Sequence, residues 1–156
     1  MRFYSLQIDD DDLPNVTELH LPGRPYGKFP EVVFRMPNLV NLNLQSINIS
    51  FLPEEFKKCV KLEVLNLGFN NFAPEEKFEN LPPNLIKLDL YNTELINFPI
   101  AITKLKSLKV LLLGKNKISK IPTSIRKLKS LQEVSLYNNN IKTIPADIGE
   151  LKMLSK

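Results

Sequence analysis

The chain has 156 residues, 43% of them hydrophobic and 24% charged, which places it among soluble folded proteins of about one domain. It holds no apolar run of about 18 residues, so no transmembrane helix is expected, and its single cysteine, Cys59, excludes an internal disulfide framework. The formal net charge of +4 conceals a gradient: residues 1–84 carry 8 Lys/Arg against 12 Asp/Glu, a net of −4, and residues 85–156 carry 13 against 5, a net of +8.

The N-terminal stretch 1–15 reads as a partial unit or cap. Phe3, Leu6 and Leu13 fall at positions 11, 14 and 21 of an incomplete repeat, and Asp9 to Asp12 form an acid run. Four adjacent carboxylates admit a calcium site, but a charged, solvated cover over an open edge is the simpler reading. The first residues lack a long apolar core, so they do not resemble a signal peptide, and a cytoplasmic protein is expected if Met1 is the native start. If the N-terminus is not native, a secreted effector is the alternative.

From Val16 onward an apolar pattern recurs every 23 residues, in six units spanning 16–38, 39–61, 62–84, 85–107, 108–130 and 131–153, with 154–156 opening a seventh. A fixed period in the range of 20–50 residues signals a stacked-repeat architecture. The fifth unit shows the pattern cleanly: Leu108, Leu111, Leu113, Ile118, Ile121, Ile125 and Leu128 occupy positions 1, 4, 6, 11, 14, 18 and 21. Positions 4 and 6 have the alternation of a strand, and positions 14, 18 and 21 the spacing of a short helical turn. Proline at position 15 in five units (Pro30, Pro53, Pro99, Pro122, Pro145) suits the first turn of a helical segment. One unit alone cannot bury its apolar side chains; stacking copies can. The third unit departs from the rule, with Phe72-Ala73-Pro74 and Pro82-Pro83, and an irregular loop is expected there. The sixth unit is followed by no polar cap. Its end is expected to be uncovered, unless the chain belongs to a longer protein, the last turn folds over it, or two copies meet end to end as a dimer.

The pattern L-x-x-L-x-L-x-x-N-x-L-x-x-L-P-x-x-I-x-x-L closely resembles the leucine-rich repeat, in the 23-residue form common in intracellular and bacterial members, over residues 3–156. The resemblance implies an α/β fold, a right-handed solenoid with a concave parallel β-sheet and short helical or 3₁₀ turns on the convex side. It also implies that asparagine at position 9 turns inward to bond backbone groups. Asn70, Asn116 and Asn139 fit that role, while Arg24, Ile47 and Thr93 depart from it, so the ladder should weaken toward the N-terminus. A scaffold, adaptor or recognition role through a protein partner follows from the resemblance. A Lys-to-Arg ratio of 17 to 4 hints at a bacterial source.

No phosphate-cradling glycine loop and no metal-ligand spacing occurs, the one histidine is His20, and no cofactor or enzymatic activity is expected. The candidate partner surface is the exposed face of the strands, at positions 3 and 5 with 7 and 8 beside them. There Val64, Phe69, Tyr91, Val110, Leu112 and Tyr137 are apolar or aromatic, among polar Asn66, Lys87 and Asp89. An apolar centre with a polar rim is the composition of a protein interface. Strands also favour such residues on any face, so the pattern alone does not exclude a structural origin. A second candidate is a basic ridge on the convex side, Lys104, Lys106, Lys127, Lys129 and Lys152, which could meet nucleic acid or acidic lipid or could simply be solvated.

Overall fold

A computed structural model describes residues 1–3 and 7–155. Seven strands form one parallel sheet in strict sequence order: β1 (Arg2–Phe3), β2 (Glu18–His20), β3 (Asn41–Asn43), β4 (Val64–Asn66), β5 (Lys87–Asp89), β6 (Val110–Leu112) and β7 (Glu133–Ser135). From β2 to β7 each residue pairs with the one 23 places on, as in Leu19–Leu42–Leu65–Leu88–Leu111–Val134. Parallel neighbours need a crossover at every step, and such crossovers are right-handed. The chain is therefore a right-handed coil, one turn per repeat.

The return path on the convex side carries 3₁₀ segments at Glu31–Arg35, Glu54–Lys58, Ile100–Lys104, Thr123–Lys127 and Ala146–Glu150. Each follows one of the repeating prolines, which stands just before the segment in extended conformation (Pro122 at φ −73°, ψ 149°) and not inside its first turn. The proline carbonyl instead starts the i→i+3 ladder, as in Ile125 N–H to Pro122 O at 3.0 Å. The third repeat has no such proline and no 3₁₀ segment. Its loop is pinned by Glu76, whose carboxylate accepts the Leu52 N–H at 2.7 Å and the Phe78 N–H at 2.5 Å, and by the edge-on pair Phe72–Phe78 at 4.9 Å.

The core is one continuous column. In the fifth repeat all seven pattern residues are 0–1% exposed, each covered by the coils before and after it. In the sixth, Leu131 and Leu151 are buried, Val134, Leu136, Ile141 and Ile148 are only partly so, and Ile144, expected inward at position 14, is 59% exposed. The same sequence pattern yields a different burial because a repeat buries its apolar face against its neighbours, and the described residues add no full coil beyond this one. At the other end, Phe3 pairs with Leu19 and so occupies position 4, not position 11; the first coil is shortened. Leu6 lies outside the described residues. The turn at Asp9–Asp12 leads into a 3₁₀ segment at Leu13–Asn15, and Asp10 holds Arg35 at 2.9 Å. Cys59 at position 21 is half-buried, its thiol pushed up by that burial.

The asparagine ladder forms at three of the six coils. Asn116 is the fullest example: its Oδ1 accepts the N–H groups of Thr93 and Leu95, each at 3.0 Å, and its Nδ2 donates to Leu90 O and Leu113 O. Asn70 serves Ile47 N–H and Ile49 N–H in the same way, at 3.2 Å each. At position 9 of the coils so served, Ile47 is buried without side-chain bonding capacity, and Thr93 Oγ1 donates to Leu90 O at 2.8 Å. In both of these coils position 10 turns left-handed, Asn48 at φ 62° and Glu94 at φ 63°. From the second coil to the fifth, ladder coils thus alternate with coils whose amides they satisfy; the sixth breaks the alternation, since Asn139 accepts from Ile118 of another ladder coil. Arg24 is exposed and forms no side-chain rung, so the asparagine ladder does not extend into the first coil.

Candidate functional site

The concave face is built by one backbone device repeated six times. Position 8, just after each strand and its turn, is left-handed in every coil: Gly23 (φ 73°), Ser46 (57°), Phe69 (57°), Asn92 (53°), Lys115 (52°) and Asn138 (53°). Glycine and asparagine adopt this region easily; a bulky aromatic does not. Phe69 is nevertheless 46% exposed there, so neither local preference nor burial accounts for it. Strain of this kind is worth of order 1–3 kcal/mol and tends to mark functional positions.

Position 7 alternates glycine and tyrosine: Gly68, Tyr91, Gly114, Tyr137. The alternation lets the rings meet. Tyr91 and Tyr137 sit two coils apart, yet their centroids are 5.9 Å from each other, and Phe69 closes on Tyr91 at 5.2 Å. The Tyr137 ring lies across Gly114, where an added Cβ would fall 2.7 Å from its Cε1. Interaction between the two tyrosine hydroxyls lowers the Tyr91 pKa and raises that of Tyr137; Lys115, with Nζ 5.6 Å from the centre of the Tyr91 ring, lowers Tyr91 further. Beside the rings, Val110 and Leu112 on β6 stand half-buried on the same face. Val64 on β4 and Lys87 on β5 continue the row at position 3, with Lys87 exposed.

The polar residues at position 5 are less free than their exposure suggests. Asn43, Asn66 and Asp89 each accept, through Oδ1, the N–H two residues on, at 3.0, 2.9 and 2.9 Å. Asn66 Nδ2 also donates to Gln45 Oε1 at 3.3 Å. Burial raises the Asp89 pKa above the usual value of 3.8, opposed by the Tyr91 N–H and by Lys87. The structure therefore brings Phe69, Lys87, Asp89, Tyr91, Val110, Leu112 and Tyr137 together and gives Asn66 a turn-forming role. The residues that sequence reasoning passed over are Gly68 and Gly114; the signal was the glycine–tyrosine alternation at one register position.

The convex lysines behave differently. Lys104 pairs with Glu79 at 2.5 Å and Lys129 with Glu150 at 3.1 Å, while Lys117 pairs with Glu94 and Arg126 with Asp147 at 3.4 Å. Lys152 donates to the Gly149 carbonyl; Lys106 and Lys127 are exposed. Residues 104–129 contain no acid, so the lysines that pair find carboxylates in adjacent turns, at Glu79, Glu94 and Glu150. A cleft of about 450 Å³ opens on the same side where the third repeat lacks its 3₁₀ segment, with Phe72, Ile96, Phe98 and Ile100 among its walls. Among the described residues no group of three His, Cys, Asp or Glu side chains converges to hold a metal ion, and no helix is long and apolar enough to cross a membrane.

A parallel sheet of in-register short strands, a buried asparagine ladder and convex 3₁₀ turns define a leucine-rich repeat protein. The family model described as "Leucine Rich repeats (2 copies)" matches residues 106–153. Chaoptin of Drosophila melanogaster is 30% identical over 125 residues, covering 76% of this chain and 9% of chaoptin. A leucine-rich repeat protein of Leptospira interrogans superposes with a TM-score of 0.82 at 32% identity, over 90% of this chain and 36% of that one. An internalin of Listeria monocytogenes gives 0.75 at 26% identity, over 92% and 61%. The chain thus spans only part of the length of each of these relatives.

Proposed function

We propose that this protein is a non-enzymatic recognition module that binds a protein partner on its concave sheet. The observation that carries this reading is the contiguous strip of Phe69, Tyr91 and Tyr137, with Phe69 and Tyr137 exposed, Phe69 in a strained backbone, and half-buried Val110 and Leu112 on the same sheet face. Aromatic anchors on a preorganised surface lose little freedom on binding, and such residues dominate interface energetics. The convex ridge supports an anion-binding alternative less well, since carboxylates pair with two of its five lysines and no aromatic side chain is among them.

The experiment is affinity capture with the native protein and with Tyr91→Ala combined with Leu112→Glu. The pair is expected to lose a captured partner, with at least a hundredfold weaker binding, about 3 kcal/mol. Unchanged capture by the double variant would move the site elsewhere. A second prediction separates strain from packing. Phe69→Asn places at position 8 the residue already found at 92 and 138. It is expected to change folding stability by less than about 1 kcal/mol, since relief of the left-handed phenylalanine offsets the lost ring contact. Partner binding should nevertheless fall tenfold or more. A loss of about 3–5 kcal/mol in urea unfolding, the cost of truncating a core phenylalanine, would instead assign Phe69 to the fold.

A further inference from the structure

In residues 85–156, Lys104, Lys117, Arg126 and Lys129 each meet a carboxylate, while Lys106, Lys120, Lys127 and Lys142 are exposed and meet none among the described residues. On the concave face, Lys87 and Lys115 form no such pair among the described residues. Both are exposed; Lys115 stands over the Tyr91 ring, and Lys87 pairs on the sheet with Val110. Lys115 is also positioned: its backbone is left-handed at φ 52°, and its Nζ stands over the Tyr91 ring, 5.6 Å from its centre. Surface lysines ordinarily wave freely in water; this one is tethered without being neutralised.

We propose that the concave strip takes an acidic segment of a protein partner, one that sets a carboxylate on Lys87 and Lys115 and an adjacent apolar side chain on Val110, Leu112 and Phe69. The inference rests on the concave-face reading above and adds to it the chemistry of the partner. The acids nearest this half of the face do not cancel the attraction. Asp89 is half-buried with Oδ1 committed to the Tyr91 N–H, and Glu133 is partly buried at the far strand. At longer range the net of +8 over residues 85–156 draws acidic partners to this half of the solenoid, within the roughly 10 Å reach of charge at 0.1 M salt. A carboxylate arriving beside Lys115 gains a charge-assisted hydrogen bond from a cation that is already in place.

The probe is a capped peptide of alternating glutamate and leucine, with its glutamine counterpart as control, titrated into the whole chain and followed by NMR at the amides of Tyr91, Lys115 and Tyr137. The glutamate peptide is expected to bind at low salt, the glutamine peptide about tenfold more weakly or not at all, and added salt should erase the difference. Lys115→Asn keeps a residue suited to the left-handed position and should weaken binding about three- to tenfold, as should Lys87→Gln. Asp89→Asn, which preserves the turn bond made by Asn43 and Asn66, should strengthen it. Equal binding of the two peptides, or reversed signs for the lysine and aspartate variants, would overturn the acidic-partner inference. Tighter binding of short duplex DNA or phosphatidylserine vesicles, sensitive to the same lysines, would overturn it in favour of phosphate. Leu112→Glu keeps the two readings apart: if it leaves captured-partner binding intact the concave site itself fails, whereas if it abolishes binding while the lysine variants do not alter it, only the partner's chemistry is wrong.

Discussion

Asn116→Ala is expected to lower the stability of the whole solenoid by about 3–5 kcal/mol, the largest loss of any single polar truncation in the chain. The side chain is 6% exposed and holds two coils together through its Oδ1 and Nδ2. Its carbonyl acceptors survive the change: Leu90 O still receives Thr93 Oγ1, and Leu113 O still receives Asn139 Nδ2. The amides do not. Thr93 N–H and Leu95 N–H both point at Asn116 Oδ1, and each buried donor left unpaired costs about 1–3 kcal/mol. Asn139→Ala is the internal comparison. That residue is half-buried, accepts from Ile118 N–H at 3.0 Å, and lies where water can replace it, so its loss should cost about 1–2 kcal/mol. Urea unfolding reads the difference, and hydrogen exchange should quicken at Thr93 and Leu95 first. Equal costs for the two variants would show that the rungs are not set by burial.

Leu90→Ala should cost about 3–4 kcal/mol, and Leu136→Ala only about 1 kcal/mol, although both are the leucine at position 6 of their repeats. Leu90 is 0% exposed between Leu67 and Leu113 of the adjoining coils, themselves 0% exposed, so truncation leaves a cavity that rigid neighbours cannot fill. Leu136 packs against the core on one side and is partly open on the other, where water replaces the lost methyl groups. Because a solenoid is held by nearest-neighbour interfaces, the central variant also splits the array, and its unfolding should broaden or separate into two steps. A similar midpoint shift for both leucines would mean that the last coil is covered in solution.

The pairing of the Ile47 and Thr93 coils with the asparagines that follow them shows how far residue identity reaches. Ile47 and Thr93 break the asparagine rule, and from the sequence they look like defects. In the structure each sits in a coil whose two amides are taken up by the asparagine of the next coil, with position 10 turned left-handed to aim them. No residue of the sequence encodes that pairing alone, because the acceptor belongs to a different turn. The convex lysines carry the same lesson. Between Lys104 and Lys129 the chain places a run of cations, but their carboxylates are brought in by stacking, from Glu79 before and Glu150 after.

The sequence by itself determined the period, the inward positions and the strand register, since an apolar spacing repeated every 23 residues has one economical way to leave water. It also marked Tyr91, Leu112 and their neighbours as facing outward, through the two-residue alternation of a strand. Only the tertiary structure decided that Gly114 makes room for Tyr137 to reach Tyr91, that Asn66 is spent on a turn, and that Lys115 is held over an aromatic ring without a counter-charge. Those facts depend on which side chains meet across coils, and contact between residues distant in the chain is fixed by stacking geometry and backbone handedness, which composition and spacing do not contain.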